Sequence, residues 1–193
     1  MARISDGNMK LGKIPNVSLT PCKACSPDAP CKKKCYAMKA YRMYPLVRKA
    51  WDINTKEVAT KREKYFADIR KFLTKKQPKY FRWHVAGDIP DVAYLYEMVQ
   101  IAADNAAVKF LCFTKRHDIA EQFKNIPPNL EIVLSMWPKW GNASMKGFRR
   151  AWMQDGTETR IPANAIECPG FCENCGMCWS LGKLGRDVVF NAH

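Results

Sequence analysis

The chain has 193 residues, of which 47% are hydrophobic, and it carries a formal net charge of +14. That length and composition allow one buried core, so we expect a single domain over residues 1–193. The sequence contains no long apolar run and no signal-like apolar segment near its start, which predicts a cytoplasmic protein without a membrane span.

The predicted elements alternate between strands and helices along the chain. A first strand is expected at 13–21, followed by helix from about Lys33, with a break near Pro45 and a restart near Asn54. The remaining strands are predicted at 79–88, 108–115, 130–138 and 187–193, and the remaining helices at 89–105, 116–125 and 142–154.

Strands that alternate with helices pair in parallel, which predicts an α/β fold. Five or six strands fit either an incomplete barrel or a doubly wound sheet. No GxGxxG segment follows any predicted strand, so we favour a partial, open TIM-like barrel of about five or six parallel strands. Two cysteine-rich loops, at residues 20–37 and 167–180, accompany these strands.

The nine cysteines form two groups of four and one singleton. An odd number of cysteines in a reducing compartment argues against a disulfide framework and for metal ligation. Cys112 lies in a strand-like apolar run, where core packing is expected. The N-terminal cysteine group is Cys22, Cys25, Cys31 and Cys35, and the C-terminal cysteine group is Cys168, Cys172, Cys175 and Cys178.

The spacing of each group indicates metal binding. The C-terminal group reads C-x3-C-x2-C-x2-C, and gaps this short let thiolates converge on one ion or cluster. The N-terminal group reads C-x2-C-x5-C-x3-C, and its wider middle gap suits an object larger than one zinc ion. The sequence thus predicts an iron–sulfur cluster, of the 4Fe–4S type, in one or two copies, with zinc as the alternative.

The positive charge is concentrated in the N-terminal part of the chain. Residues 1–79 contain 20 Lys and Arg against 6 Asp and Glu, whereas residues 80–193 contain 12 of each kind. Such a field attracts nucleic acid or another anionic partner, and it also offsets the negative charge of a thiolate-bound cluster. A solvated helix face at 55–76 is the alternative explanation.

Polar side chains collect where the predicted strands end. Because the carboxyl ends of parallel strands share one edge, we expect these side chains to converge beside the N-terminal cysteine group. The predicted catalytic residues are His84, Asp88, Lys115 and Ser135, and the predicted cofactor-binding residues are Gly87, Thr114, Arg116, Asn191 and His193.

Four of these residues have simpler alternatives. His84 could be an inward imidazole bonded to backbone, and Asp88 could be the N-cap of the helix that begins near Pro90. Lys115 and Arg116 form either an anion clamp at the strand end or a solvated loop.

Several segments resemble the gene product 88 family of phage and plasmid proteins. They are CYAMKAY at 35–41, FRWHVAGD at 81–88, FTK at 113–115, CENCGMCW at 172–179 and VFNAH at 189–193. Cys22 departs from the pattern, so Cys25, Cys31 and Cys35 are the better supported ligands. The resemblance implies a protein of the cytoplasm of a phage-infected or plasmid-bearing host.

The plan is also similar, more distantly, to radical S-adenosylmethionine enzymes, which are partial α/β barrels with three cluster cysteines after their first strand. That resemblance implies that Cys25, Cys31 and Cys35 hold the cluster and that Ala86–Asp88 binds the amino group of S-adenosylmethionine. The superfamily spacing C-x3-C-x2-C occurs instead in the C-terminal group, with Asn174 where an aromatic residue is usual and Cys178 in position to close the site.

Two functions follow from these features. The first is an iron–sulfur cluster-binding phage-type protein with redox or radical-type activity at the carboxyl ends of the strands. The alternative is a zinc-stabilised protein that binds nucleic acid through its basic N-terminal half.

Overall fold

The computed structural model describes residues 1–191, and an open parallel sheet of seven strands forms its centre. The order across the sheet is β1-β2-β3-β4-β5-β7-β6, and every neighbouring pair is parallel. The strands are β1 (Asn16–Val17), β2 (Tyr80–Trp83), β3 (Lys109–Thr114), β4 (Leu130–Met136), β5 (Arg149–Gln154), β6 (Ile166–Glu167) and β7 (Val188–Asn191).

Helices connect the strands and cover the sheet. They are α1 (Tyr36–Met43), α2 (Pro45–Thr60), α3 (Arg62–Lys76), α4 (Val92–Asp104), α5 (His117–Ala120), α6 (Cys172–Cys175) and α7 (Leu181–Leu184). Two short 3-10 helices, Pro30–Lys34 and Met177–Ser180, lie within the cysteine-rich segments. None of the helices described in residues 1–191 has the length and apolar character needed to cross a membrane.

The sheet is buried on both faces, and alternate residues of each strand enter two different cores. On the first face Trp83 and Phe110 pack with Phe66 of α3 and Tyr94 of α4. The opposite face has its own cluster, with residues from β3, β4, β5 and β7 and from the C-terminal segment. Its buried members are Leu11, Ile14, Leu111, Val133, Ala151, Trp179, Leu181 and Val188.

The predicted α/β class and the parallel pairing are confirmed, with more strands than expected. From β1 to β5 the order follows the chain without reversing, unlike the order of a doubly wound sheet. The last strand, β7, inserts between β5 and β6, and β6 is a two-residue strand that the sequence patterns did not reveal.

The predicted helix at 142–154 is wrong, because Arg149–Gln154 is strand β5. Gly147 has φ +84°, a left-handed conformation that interrupts any helix through this segment. The backbone N–H of Arg150 donates to Asp187 at 3.0 Å, and β5 pairs with β4 and β7 on its two sides. The helical spacing of apolar residues was therefore overridden by sheet pairing.

Two predicted helix boundaries also need correction. The predicted break near Pro45 is confirmed, because α1 ends at Met43 and Pro45 begins α2, where its missing N–H costs nothing. The predicted restart near Asn54 is wrong, because α2 runs through Asn54. The N-cap of α4 is Asp91, whose side chain accepts a hydrogen bond from the N–H of Tyr94 at 2.9 Å. Asp88 is therefore not that cap and is available for another role.

Candidate functional site

The N-terminal cysteine loop begins where β1 ends, and hydrogen bonds hold its first residues in place. The N–H of Leu19 donates to the carbonyl of Ala86 at 3.0 Å, which extends the pairing of β1 with β2 to the sheet edge. The hydroxyl of Thr20 donates to Asp52 at 2.7 Å, and its N–H donates to the Thr55 hydroxyl at 2.8 Å. The loop is thereby fixed to both the sheet and helix α2.

The four thiols of the N-terminal cysteine group are neighbours. Burial, and then the thiol of Cys35, raise the pKa of Cys22, which has a left-handed backbone with φ 67°. Burial raises the pKa of Cys25 to about 11, and the charge of Asp88 acts in the same direction. Burial also raises the pKa of Cys31, while Lys115 opposes it. All nine cysteines of the chain are free thiols.

Asp88 is the buried carboxylate of this edge, with 2% of its surface exposed. It accepts hydrogen bonds from the Thr114 hydroxyl at 2.6 Å, from the Lys115 N–H at 2.8 Å and from the Ile89 N–H at 2.8 Å. Burial raises the pKa of Asp88, and the Lys115 ammonium and these three donors oppose the rise. Asp88 thus ties the end of β2 to the end of β3.

Gly87 allows the cysteine loop to approach this edge. Its φ is +79°, and a Cβ atom there would lie 2.7 Å from the Cβ of Leu19. Any larger residue would push the start of the cysteine loop away from Asp88. The predicted cofactor contact at Gly87 is therefore also explained by packing.

Lys115 places a cation between the carboxylate and the thiols. Burial lowers the pKa of Lys115, but the negative charges of Asp88, Cys31, Tyr36 and Cys25 outweigh burial and raise it above its ordinary value. Among residues 1–191, no carboxylate oxygen lies within 4 Å of its ammonium nitrogen. Its charge thus acts on Asp88 and on the thiols without a close ion-pair partner in that range.

His117 belongs to the same edge, although the sequence patterns did not single it out. Its Nε2 lies 3.1 Å from the carbonyl oxygen of Ser135, and its ring centre lies 5.1 Å from that of Trp140, with the two planes tilted by 48°. Burial lowers the pKa of His117, and the hydrogen bond to Ser135 and the charge of Asp88 oppose this. The only sequence signal was its position, two residues after the predicted strand end at Lys115.

Trp140 joins the carboxyl edge of the sheet, beside His117, to the N-terminal cysteine loop. Its indole N–H donates to the carboxylate of Asp28 at 2.9 Å, across 112 positions of sequence. Asp28 lies between Cys25 and Cys31, so the segment after β4 reaches the middle of the N-terminal cysteine loop. This contact joins two parts of the edge that no local pattern relates.

Other predicted site residues lie elsewhere. His84 is 3% exposed and turns into the first core, where its Nε2 lies 3.1 Å from the Tyr94 hydroxyl and its Nδ1 lies 3.8 Å from the Cys112 thiol. Burial lowers the pKa of His84 to about 3. Cys112 is fully buried, which confirms its predicted packing role.

Of the two cations of the predicted anion clamp, Arg116 is paired with other groups. The guanidinium of Arg116 is occupied by Asp118 at 2.7 Å and by the carbonyl of Pro90 at 2.9 Å, so only Lys115 faces the thiols. The side-chain amide of Asn191 donates to Glu167 at 2.6 Å at the far side of the sheet. His193 lies outside the described residues.

The C-terminal cysteine group occupies the second face of the sheet. The N–H of Cys168 donates to the carbonyl of Val189 at 3.0 Å, and the N–H of Cys172 donates to that of Lys10 at 2.9 Å. The indole of Trp179 donates to the carbonyl of Phe81 at 3.1 Å. These bonds hold the segment to β7, to β2 and to the residues that precede β1.

All four cysteines of this group line one small cavity that opens partly to solvent. Burial raises the pKa of Cys178 to about 12 and also raises that of Cys172, while the positive charge of Arg82 opposes both shifts. The Arg82 guanidinium lies 4.3 Å above the ring of Phe113. A cation therefore faces each cysteine group: Lys115 the N-terminal one and Arg82 the C-terminal one.

The thiols of neither cysteine group lie close enough together to form a metal site. Within residues 1–191, no set of three or more His, Cys, Asp or Glu side chains has an arrangement that could hold a metal ion. The thiols of the C-terminal group line one cavity without converging on one point.

The fold and these sites together define an α/β protein with one cysteine group at the carboxyl edge of a parallel sheet and another across its second face. The family described as Gene product 88 matches residues 3–181, which is most of the chain, so the protein belongs to that family. The predicted family resemblance is thereby confirmed. No curated protein and no solved structure matches the chain.

Proposed function

We propose that the protein binds iron–sulfur clusters through its two cysteine groups and carries out redox or radical-type chemistry at the N-terminal one. The observation that carries the proposal is the C-terminal cavity, which is lined by four free thiols from a segment of eleven residues. Thiolates in sets of four are the usual ligands of iron–sulfur clusters.

The donor set of each group fits such a cluster. The ligands are thiols of the same chain, free of disulfides, and side-chain rotation about χ1 can turn thiols that line one cavity toward its centre. A cluster bound by four thiolates is negatively charged, and Arg82 and Lys115 supply positive charge beside the two groups. When bound, such a cluster accepts and donates single electrons.

The N-terminal group is the proposed reactive one because its surroundings are polar. Asp88 holds the end of β3 through the backbone of Lys115, so the Lys115 ammonium is positioned toward Cys31 and Cys25. That cation stabilises thiolates and attracts an anionic ligand to the same place. The imidazole of His117 stands at this edge as a group able to hold or release a proton.

A partial barrel is part of this proposal. The in-sequence order of β1 to β5 and the location of Asp88, Lys115 and His117 at one carboxyl edge both support it. We do not extend the proposal to S-adenosylmethionine, because the carboxylate of Asp88, the acidic residue of the Ala86–Asp88 segment, is already engaged by hydrogen bonds from Thr114, Lys115 and Ile89.

Anaerobic purification with measurement of iron, acid-labile sulfide and zinc tests the proposal. We expect a brown protein that contains iron and sulfide in equal amounts and loses part of both in Cys172→Ser and another part in Cys31→Ser. Cys112→Ala is the matched control, because Cys112 is buried in the first core and should leave the metal content unchanged. A colourless protein with stoichiometric zinc and no iron would refute it.

A further inference from the structure

We propose that the groove beside helix α1 binds single-stranded nucleic acid. This α1 groove encloses about 680 Å³, counting the space open to solvent. The inference concerns a partner and does not depend on which metal the cysteines bind. The groove is lined by Lys32, Lys33, Lys34, Cys35, Met38, Lys39, Arg42 and Met43.

The five cations of the groove are electrostatically uncompensated. Among the residues that the structure describes, none of them lies within 4 Å of a carboxylate oxygen. In helix α3 of the same basic region both arginines are paired, Arg62 with Asp91 at 2.7 Å and Arg70 with Glu97 at 2.9 Å. A concave surface with five free cations therefore favours a polyanion such as a phosphate backbone.

Exposed aromatic rings at both ends of α1 favour a single strand over a duplex. Tyr36, the first residue of α1, is 73% exposed, and Tyr44, which follows its last residue, is 55% exposed. Their separation along the helix axis is about 12 Å, a span of two or three nucleotides. Unpaired bases can stack on such rings, whereas the bases of a duplex are hidden.

The groove also leads to the N-terminal cysteine group. Cys35 lines the groove and neighbours Cys22 and Cys31. A strand bound in the groove would therefore lie against these thiols.

Fluorescence anisotropy with a labelled oligothymidylate of about 20 nucleotides and the full chain tests this inference. The groove variant is Lys33→Glu/Lys39→Glu/Arg42→Glu, and the matched control is Lys71→Glu/Lys75→Glu/Lys76→Glu. The control residues are exposed cations of α3, so both variants change the charge equally. We expect the groove variant to bind about 100-fold more weakly at low salt and the control to bind within about fivefold of the wild type.

Salt dependence and stacking provide two independent measurements. The slope of log affinity against log salt should become shallower by about 2 in the groove variant, since each lost phosphate contact contributes about 0.7. Tyr44→Ala should weaken binding at least about fivefold, and Tyr44→Phe, which keeps the ring, should not.

Several results would overturn the inference. Equal losses in the groove variant and its control would mean diffuse charge attraction, and tighter binding of duplex DNA would exclude the stacking mode. Groove-dependent binding to anionic phospholipid vesicles, without groove-dependent binding to the oligonucleotide, would assign the surface to membranes. Circular dichroism and metal content check each variant, and if the triple variant does not fold, Arg42→Glu against Lys75→Glu decides the question.

Discussion

The two cysteine groups have the same size and donor type but different surroundings. The C-terminal group belongs to a core, since Cys168, Cys172 and Cys178 pack against the apolar cluster of the second sheet face. The N-terminal group lies on a loop at the carboxyl edge, where Asp88 and Lys115 act on its thiols. The C-terminal group packs mainly against apolar side chains, with Arg82 nearby, whereas the N-terminal group lies beside Asp88 and Lys115.

The difference suggests a division of labour. Metal bound within a core contributes to folding, because the site exists only in the native state. Metal bound at a charged edge, where a ligand can approach, contributes reactivity. We therefore expect loss of the C-terminal group to affect stability and loss of the N-terminal group to affect chemistry, and the predictions below test that contrast.

The largest effect is expected from Cys175→Ala. Cys175 lines the C-terminal cavity without belonging to the second core cluster, so its loss reports metal binding more than packing. We expect the free energy of unfolding to fall by several kcal/mol and the melting temperature to fall by about 10 °C or more, with loss of iron.

Cys31→Ala, measured in parallel under anaerobic conditions, should lower the melting temperature by less than about 3 °C. Thermal melting and iron analysis of the two variants together test the contrast. Equal losses of stability would show that both groups support the fold, and unchanged melting in Cys175→Ala would remove the structural role of the C-terminal group.

The next largest effect is expected from Asp88→Asn. The amide carries no charge to balance Lys115, and it cannot accept the three hydrogen bonds of the carboxylate equally well. We expect a loss of about 2–3 kcal/mol in the free energy of unfolding, measured with denaturant.

Asp118→Asn is its control, because Asp118 is an exposed partner of Arg116 and should cost less than about 1 kcal/mol. Under the proposed function, any iron bound by the C-terminal group should be unchanged in both variants. Loss of that iron in Asp88→Asn would mean that the two regions are coupled.

A third prediction concerns the pH dependence of stability. It tests the first core, which contains neither cysteine group. Burial holds the pKa of His84 at about 3, below its ordinary value, so the unfolded chain takes up a proton near pH 6.5 while the folded chain does not. The stability that His84 contributes is complete above about pH 6.5 and is lost as the pH falls toward 3, at about 1.4 kcal/mol per pH unit.

Denaturant unfolding between pH 7 and pH 5 measures how the free energy of unfolding changes with pH. His84→Asn should reduce that change by about 1.4 kcal/mol per pH unit, which corresponds to one proton. Asparagine is the suitable replacement because His84 has φ 52°, a left-handed conformation that asparagine tolerates. An unchanged slope in His84→Asn would place the acid sensitivity elsewhere.

The smallest effect is expected from Trp140→Phe, which removes the indole hydrogen bond to Asp28 and keeps an aromatic ring beside His117. We expect a loss of about 1 kcal/mol or less in global stability. Thiol labelling should nevertheless become faster at Cys25 and Cys31 and stay unchanged in the C-terminal group. Equal acceleration in both groups would indicate general loosening instead of local release of the loop.

The long apolar elements could be predicted because their patterns are local. Strands β3 and β4 are runs of buried residues, and the apolar positions of α4 recur at helical spacing, so each was expected near its observed place. β5 was mistaken for a helix because its residues pair with β4 and β7, which are distant in sequence. The two-residue strand β6 has no pattern of its own.

The candidate site likewise has features that the sequence predicts and features that it does not. The sequence alone determined that the cysteines form two groups of four, that Cys112 stands apart, and that Asp88 and Lys115 follow neighbouring strands. It did so because ligand spacing and strand ends depend on residues a few positions apart.

Only the tertiary structure decided what surrounds each group. It turned His84 into the core, brought the Arg116 guanidinium to the carbonyl of Pro90, and brought His117 and Trp140 to the edge beside Asp28. These contacts join residues up to 112 positions apart, and they depend on strand pairing and on the packing of two sheet faces. Local spacing cannot specify such neighbours, because they exist only once the chain has closed its long loops.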